Sequence, residues 1–145
     1  MALETLKDKV VVVTGSARGA GLATVQALAA DGAKVVVADR TDKARPDLMM
    51  KGTIYDVAEA INKQGGTAIA VKVDLRHEDQ IIALRDQTLK AFGTVDVVVN
   101  NAGITFGAKV WEIPTERWDQ VMAVNPRASF LMCKHFLPTM MQKKS

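Results

Sequence analysis

Cysteine, histidine, tyrosine and tryptophan are scarce: one, two, one and two residues among 145. Cys133 alone cannot form an intrachain disulfide, and His77 and His135 lie far apart in sequence, so no metal site is expected. A single cysteine suits a reducing, intracellular setting. No apolar run approaches the roughly 20 residues that a membrane-spanning helix needs. Met1 to Lys9 mixes acidic and basic side chains without an apolar segment, so no secretory leader is expected and the protein reads as cytoplasmic. A surplus of one charge sign is lacking too. The chain has 19 Lys and Arg against 16 Asp and Glu, a net charge of +3, well interspersed. Lys143-Lys144 is the one basic cluster and reads as a solvated end, so neither nucleic acid nor a membrane is expected as a partner. What remains is ordinary globular material, 48% apolar and 24% charged, of a length that suits one domain.

The apolar residues alternate between two patterns. Val10-Val11-Val12-Val13 is a β-branched run with no polar face, as a strand buried on both sides requires. Gly19 to Ala30 is rich in alanine and leucine at helical spacing and stops at Asp31-Gly32. Lys34 to Ala38 reads as a second strand. A polar connection follows, from Asp39 to about Gly52 and including Pro46, long for a strand-to-helix link. Helix is expected from Ile54 to Lys63, strand from Thr67 to Val73, helix from His77 to Phe92, and strand from Val95 to Val99. A last helix is expected over Thr115 to about Met141, with Thr115 and Glu116 suited to its first turn. Four strand-helix alternations predict an α/β layered fold with a parallel sheet.

The segment Thr14-Gly15-Ser16-Ala17-Arg18-Gly19-Ala20-Gly21 joins the first strand to the first helix. A helix start offers unpaired N–H groups and a positive dipole end, and glycines allow a sharp turn and close approach, which together suit a diphosphate. The spacing is G-x-x-x-G-x-G, and no Gly-Lys-Ser/Thr follows, which excludes a Walker A loop. Asp39 ends the second strand, where a carboxylate can accept hydrogen bonds from the adenosine ribose hydroxyls and repel a 2′-phosphate, favouring NAD. Arg18 and Arg40 pull toward a phosphate, and each reads equally as a plain surface residue. Asp74, at the end of the third strand, reads equally as an adenine contact and as an N-cap for the helix that begins near His77.

Thr14 to Gly21, Asp74-Leu75, Asn100-Asn101-Ala102-Gly103 and Asn125, taken in order, resemble the successive motifs of the short-chain dehydrogenase/reductase family, over nearly the whole chain. Lys51-Gly52-Thr53-Ile54-Tyr55 is similar, more loosely, to its hydroxysteroid-dehydrogenase-like branch. The resemblance implies a Rossmann-type doubly wound sheet, here expected to have four strands in the order 3-2-1-4 and then the long helix, with residues 1–145 forming one NAD(P)-binding domain. It implies that Gly15, Ser16, Arg18, Gly19, Ala20 and Gly21 line the diphosphate and adenosine. Asp39 and Arg40 would meet the ribose, Asp74 and Leu75 the adenine. Asn101, Ala102 and Gly103 would lie beneath the cofactor, with Asn100 structural. Asn125 matches an asparagine of the family's catalytic group. Pro126, unusual beside it, either enforces a kink or misplaces Asn125.

The family's hydride transfer between a nicotinamide and an alcohol or carbonyl needs a serine and a tyrosine with a lysine four residues on. The only tyrosine is Tyr55, and Glu59 stands four residues later, a charge that would raise rather than lower a phenol pKa. No candidate for the acid/base pair remains among these residues, so they are expected to be inactive alone and to meet a small alcohol or carbonyl substrate only when completed by a C-terminal half. The alternative is a non-catalytic nucleotide-binding or interaction module. The fourth strand would be an open, valine-rich edge, and that edge or the last helix would be the route to a homo-oligomer. Trp111 and Trp118 are expected to pack at the entry to the last helix, and Cys133 to lie in the core.

Overall fold

The computed structural model describes residues 6–43 and 52–143; Pro46 and Lys51, in the long polar connection, lie outside them. Four strands, β1 (Val10–Thr14), β2 (Lys34–Asp39), β3 (Thr67–Lys72) and β4 (Val97–Val99), form one sheet in the order β3-β2-β1-β4. Every pairing is parallel, with Val12 of β1 opposite Val36 of β2 and Val98 of β4. This is the expected Rossmann-type order.

β1 sits between two neighbours and is buried at all five positions. Side-chain alternation along a strand then divides its valines between two cores. Val12, Val36 and Val71 face one layer with Leu84, Leu131 and Phe136, whereas Val11, Val13, Val35 and Val37 face the other with Val25, Ile54 and Ile61. The first layer is supplied by α3 (Glu78–Phe92) and α5 (Ala128–Lys143), the second by α1 (Gly19–Ala30) and α2 (Ile54–Lys63). Phe136 and Leu84 are fully buried. α2 begins with a reciprocal capping box between Thr53 and Asp56, and α3 ends at Gly93 in the left-handed conformation (φ 74°).

β4 is shorter than the expected 95–99 run. The Asp96 N–H still donates to the Val10 carbonyl (2.9 Å), but its carboxylate takes the Val10 N–H (2.9 Å), so the ladder starts only at Val97. Burial pushes the Asp96 carboxyl up, and Lys143, the Val10 N–H and Lys9 together outweigh it, leaving the pKa lowered. The last helix occupies the expected span but is not uniform. α4 (Thr115–Met122) runs into a π-helical turn (Ala123–Arg127) and then into α5. Proline lacks an N–H, and a π turn accommodates its loss by widening one turn of the ladder.

Candidate functional site

The loops at the carboxyl ends of the strands meet on one side of the sheet, where ligands bind in folds of this kind. The loop after β1 is stitched to its neighbours by backbone and hydroxyl groups. Gly15 N–H donates to the Ala38 carbonyl (2.8 Å), and the fully buried Ser16 hydroxyl donates to the Val13 carbonyl (2.8 Å) while accepting from the Ala38 N–H (3.0 Å). Ser16 therefore turns its side chain into the fold. Gly15 (φ 69°) lies against Ala102, where an added Cβ would come within 2.8 Å of the Cα. A Cβ on Gly21 would fall 2.3 Å from the Gly15 carbonyl oxygen and 2.5 Å from Asn101 Nδ2. Gly19 differs: it too has positive φ (55°), but a Cβ there would meet nothing within 4 Å. Arg18, Gly19 and Ala20 are exposed, and no side chain caps α1.

Asp39 stands beside this loop. One carboxylate oxygen accepts from the N–H and hydroxyl of Thr41 (both 3.1 Å), the other from the Ala17 N–H (3.3 Å). Arg40 points to solvent. On the other flank, Asn101 holds the loop after β4 against the loop after β1, its Nδ2 donating to the carbonyls of Thr14 (2.9 Å) and Gly15 (3.1 Å). The buried Thr14 hydroxyl donates to the Val99 carbonyl (3.3 Å) and accepts from the N–H groups of Asn101 (3.2 Å) and Ala102 (3.1 Å). Thr14 is thus a junction that sequence reasoning passed over; its signal was a hydroxyl residue at the end of an otherwise all-valine strand. Asn101 does the tying that was expected of Asn100, which is exposed and touches only Cys133 Sγ (3.9 Å) among the described bonds.

Asn125 sits in the π turn and grips one residue of the loop after β4 from both sides. Its Oδ1 accepts the Ile104 N–H (2.9 Å) and its Nδ2 donates to the Ile104 carbonyl (3.0 Å). Gly103 passes directly beneath, where a Cβ would lie 3.5 Å from Asn125 Oδ1. Pro126 therefore accompanies an irregular turn that presents Asn125 to this loop, the first of the two alternatives.

After β3, Leu75 is buried while the Asp74 carboxylate is bound by Arg76. Arg76 Nε donates to both carboxylate oxygens (2.9 and 3.1 Å), Nη2 makes a further short contact, and the Arg76 N–H adds a fourth bond (3.1 Å). The Arg76 guanidinium holds the Asp74 carboxyl down to about 2. The N-cap of α3 is His77, without a side-chain bond, so Asp74 does not cap that helix. Glu78, in the first turn of α3, pairs with Lys134 (2.8 Å) and His135 (2.7 Å) of α5, which hold its carboxyl at about 2.

Other expectations fail. Trp111 and Trp118 are 78% and 55% exposed, because neither the segment from Ile104 to Pro114 nor α4 buries any residue; Lys109 lies over the Trp111 ring (5.7 Å). Cys133 is exposed, since α5 buries Leu131, Met132 and Phe136 and turns the intervening positions outward. Tyr55 lies on the outer side of α2, near Ile69 and Ala70 of β3, and Glu59 pairs with Lys63 (2.5 Å). No helix among the described residues is long and apolar enough to cross a membrane.

Similarity to known proteins bears on the same residues. The human hydroxysteroid dehydrogenase-like protein 2 is 40% identical over 134 residues, which are 92% of this chain and 32% of that protein. A short chain dehydrogenase/reductase from Burkholderia phymatum, solved in complex with NAD, superposes with a TM-score of 0.85 at 30% identity, covering 97% of this chain and 47% of that one. A metagenomic short-chain oxidoreductase in complex with NADP gives a TM-score of 0.83 at 36% identity, over 96% of this chain and 59% of that one. The chain thus spans about a third of the human relative and about half of these solved structures. With the pattern of the short chain dehydrogenase family matched over residues 9–145, the chain belongs to that family.

Proposed function

We propose that this chain binds a nicotinamide dinucleotide as the cofactor-binding part of a short-chain oxidoreductase that interconverts an alcohol and a carbonyl. The observation that carries this reading is the start of α1: an exposed, uncapped helix end with Gly19 at φ 55° beneath open space, flanked by glycines that the fold itself packs tightly. Such an end presents N–H groups and a positive dipole to an anion. The residues fit the cofactor: Gly15 and Arg18 to Gly21 for the diphosphate, Asp39 and Arg40 for the ribose, Asp74 and Leu75 for the adenine, and Asn101, Ala102 and Gly103 below. Ser16 contributes through the backbone, its hydroxyl being engaged inside the fold. Asp39 presents a carboxylate where a 2′-phosphate would be repelled, which favours NAD over NADP. The dinucleotide, when bound, supplies or accepts the hydride. Asn125 fixes the loop at Ile104, and proton transfer needs a tyrosine-lysine pair that these residues do not contain.

Fluorescence titration of the purified 145-residue chain with NADH and NADPH, paired with a carbonyl-reduction assay, tests the reading. Binding with tighter NADH and no turnover is expected. A flat titration with both cofactors, on a sample that melts cooperatively, overturns the dinucleotide assignment; turnover overturns the inactivity of these residues alone.

A further inference from the structure

The π turn reaches two loops, not one. Asn125 holds Ile104, after β4, and two residues later Arg127 Nη1 donates to the carbonyl of Arg76 (3.0 Å), after β3. β3 and β4 are the opposite edges of the sheet. One irregular turn therefore spans the ligand side of the sheet and fastens the loops at both edges.

The Arg76 end of this span is built for positioning. Arg76 binds the Asp74 carboxylate through its guanidinium and its own N–H, and Gln80 Oε1 accepts the Asp74 N–H (2.8 Å). Leu75, between them, is sunk in the same core cluster as Ala128, the residue after Arg127. The loop is thus held from below by Leu75 and from the side by Arg127, leaving little freedom in where the Asp74-Leu75 backbone lies. A planar guanidinium fixed on a carbonyl gives direction as well as attraction. The Asp74 carboxylate is already committed to Arg76 and the Leu75 side chain to the core, so what this loop offers a ligand is set by the placement of its backbone.

We propose that Arg127 is a positioning residue: acting through Arg76, it sets the loop at Asp74-Leu75 to receive the adenosine end of the dinucleotide. The inference rests on the dinucleotide reading above. Arg127 is exposed and belongs to neither core cluster, so its replacement is expected to leave the fold intact.

Calorimetric titrations with NADH and, separately, with AMP as a probe of the adenosine end distinguish the two layers of argument. Arg127→Met is expected to weaken AMP and NADH together, on the order of fivefold, as loss of one directed hydrogen bond implies. Arg127→Lys, which keeps one donor, is expected to retain most of the affinity. Without any ligand, hydrogen exchange at the Leu75 and Arg76 amides is expected to accelerate in Arg127→Met, while the Ile104 amide, held by Asn125, keeps its protection. A folded wild-type chain that binds neither NADH nor AMP overturns the dinucleotide reading. A wild-type chain that binds both, with Arg127→Met binding them equally well, overturns the role of Arg127 and leaves that reading standing.

Discussion

Gly19 and Gly21 are two residues apart and answer to different demands. A Cβ at Gly21 collides with the Gly15 carbonyl and Asn101 Nδ2, both parts of the fold. A Cβ at Gly19 touches no protein atom, and only its φ of 55° favours glycine. Gly21→Ala is therefore expected to destabilise the chain by about 1–3 kcal/mol, as forced overpacking does. Gly19→Ala is expected to cost about 1 kcal/mol, the penalty of a left-handed non-glycine residue, yet to abolish NADH binding by filling the space above the helix end. Melting temperature and NADH titration on the two variants separate these outcomes: loss of binding in Gly19→Ala with a small change in Tm. The spacing of the glycines was legible in the sequence because backbone geometry demands the residue type. Their division of labour was not, since it depends on Asn101, some 80 residues away. Ser16 shows the same limit, because a serine in a glycine-rich loop reads alike whether it faces a ligand or the Val13 carbonyl.

Strands and helices announced themselves through periodicity, and their ends did so less well. β1 to β3 and α1 to α3 fall where valine runs and helical spacing put them, because burial on both faces leaves β-branched runs little alternative. β4 begins late for a tertiary reason, the capture of the Val10 N–H by the Asp96 carboxylate. Pro126 marks an irregularity, but only the packed helix shows it as a π turn rather than a break. Between elements, the tie from Glu78 on α3 to Lys134 and His135 on α5 leaves no local trace, its partners being more than 50 residues apart. It gives a pH dependence of definite sign. The folded-state pKa values of Glu78 and Asp74 are both depressed to about 2. Their contributions are thus fully present above the ordinary carboxylate values and are lost as pH falls toward 2, because the unfolded chain binds protons first. Tm is expected to drop between about pH 4.5 and pH 2, and Glu78→Gln, with one carboxylate removed, is expected to show a shallower drop. An equal slope in the variant contradicts the tie.

Taken as a whole, the described residues cover the sheet more fully around β1 and β2 than beside β4. The central valines of β1 and β2 are at 0% exposure, whereas among the described residues no strand pairs with the outer side of β4, and Val97 is 36% exposed. Along α4 and α5, Trp118, Met122, Phe130, Leu137 and Met141 are all at least 40% exposed. Their spacing sets them along one side of the helix, with Phe130 flanked by the buried Ala128 and Leu131 on the other. An apolar edge strand beside an apolar helix stripe is a surface that water disfavours and a second copy can cover. The 145-residue chain is therefore expected to self-associate, with a sedimentation coefficient that rises with concentration. The two routes separate by substitution. Val97→Lys charges the strand edge and is expected to reduce association if edges pair, whereas Phe130→Glu is expected to reduce it if the helix stripes pack. Retention of the same association in the double variant, with the fold preserved by circular dichroism, contradicts both. The sequence pattern exposes the valine-rich edge readily, because strand order alone puts β4 outermost. It marks the last helix as apolar without showing which side stays open, because Phe130, Leu131, Phe136 and Leu137 are equally apolar and only the crossing of α5 over the sheet decides which pair is buried.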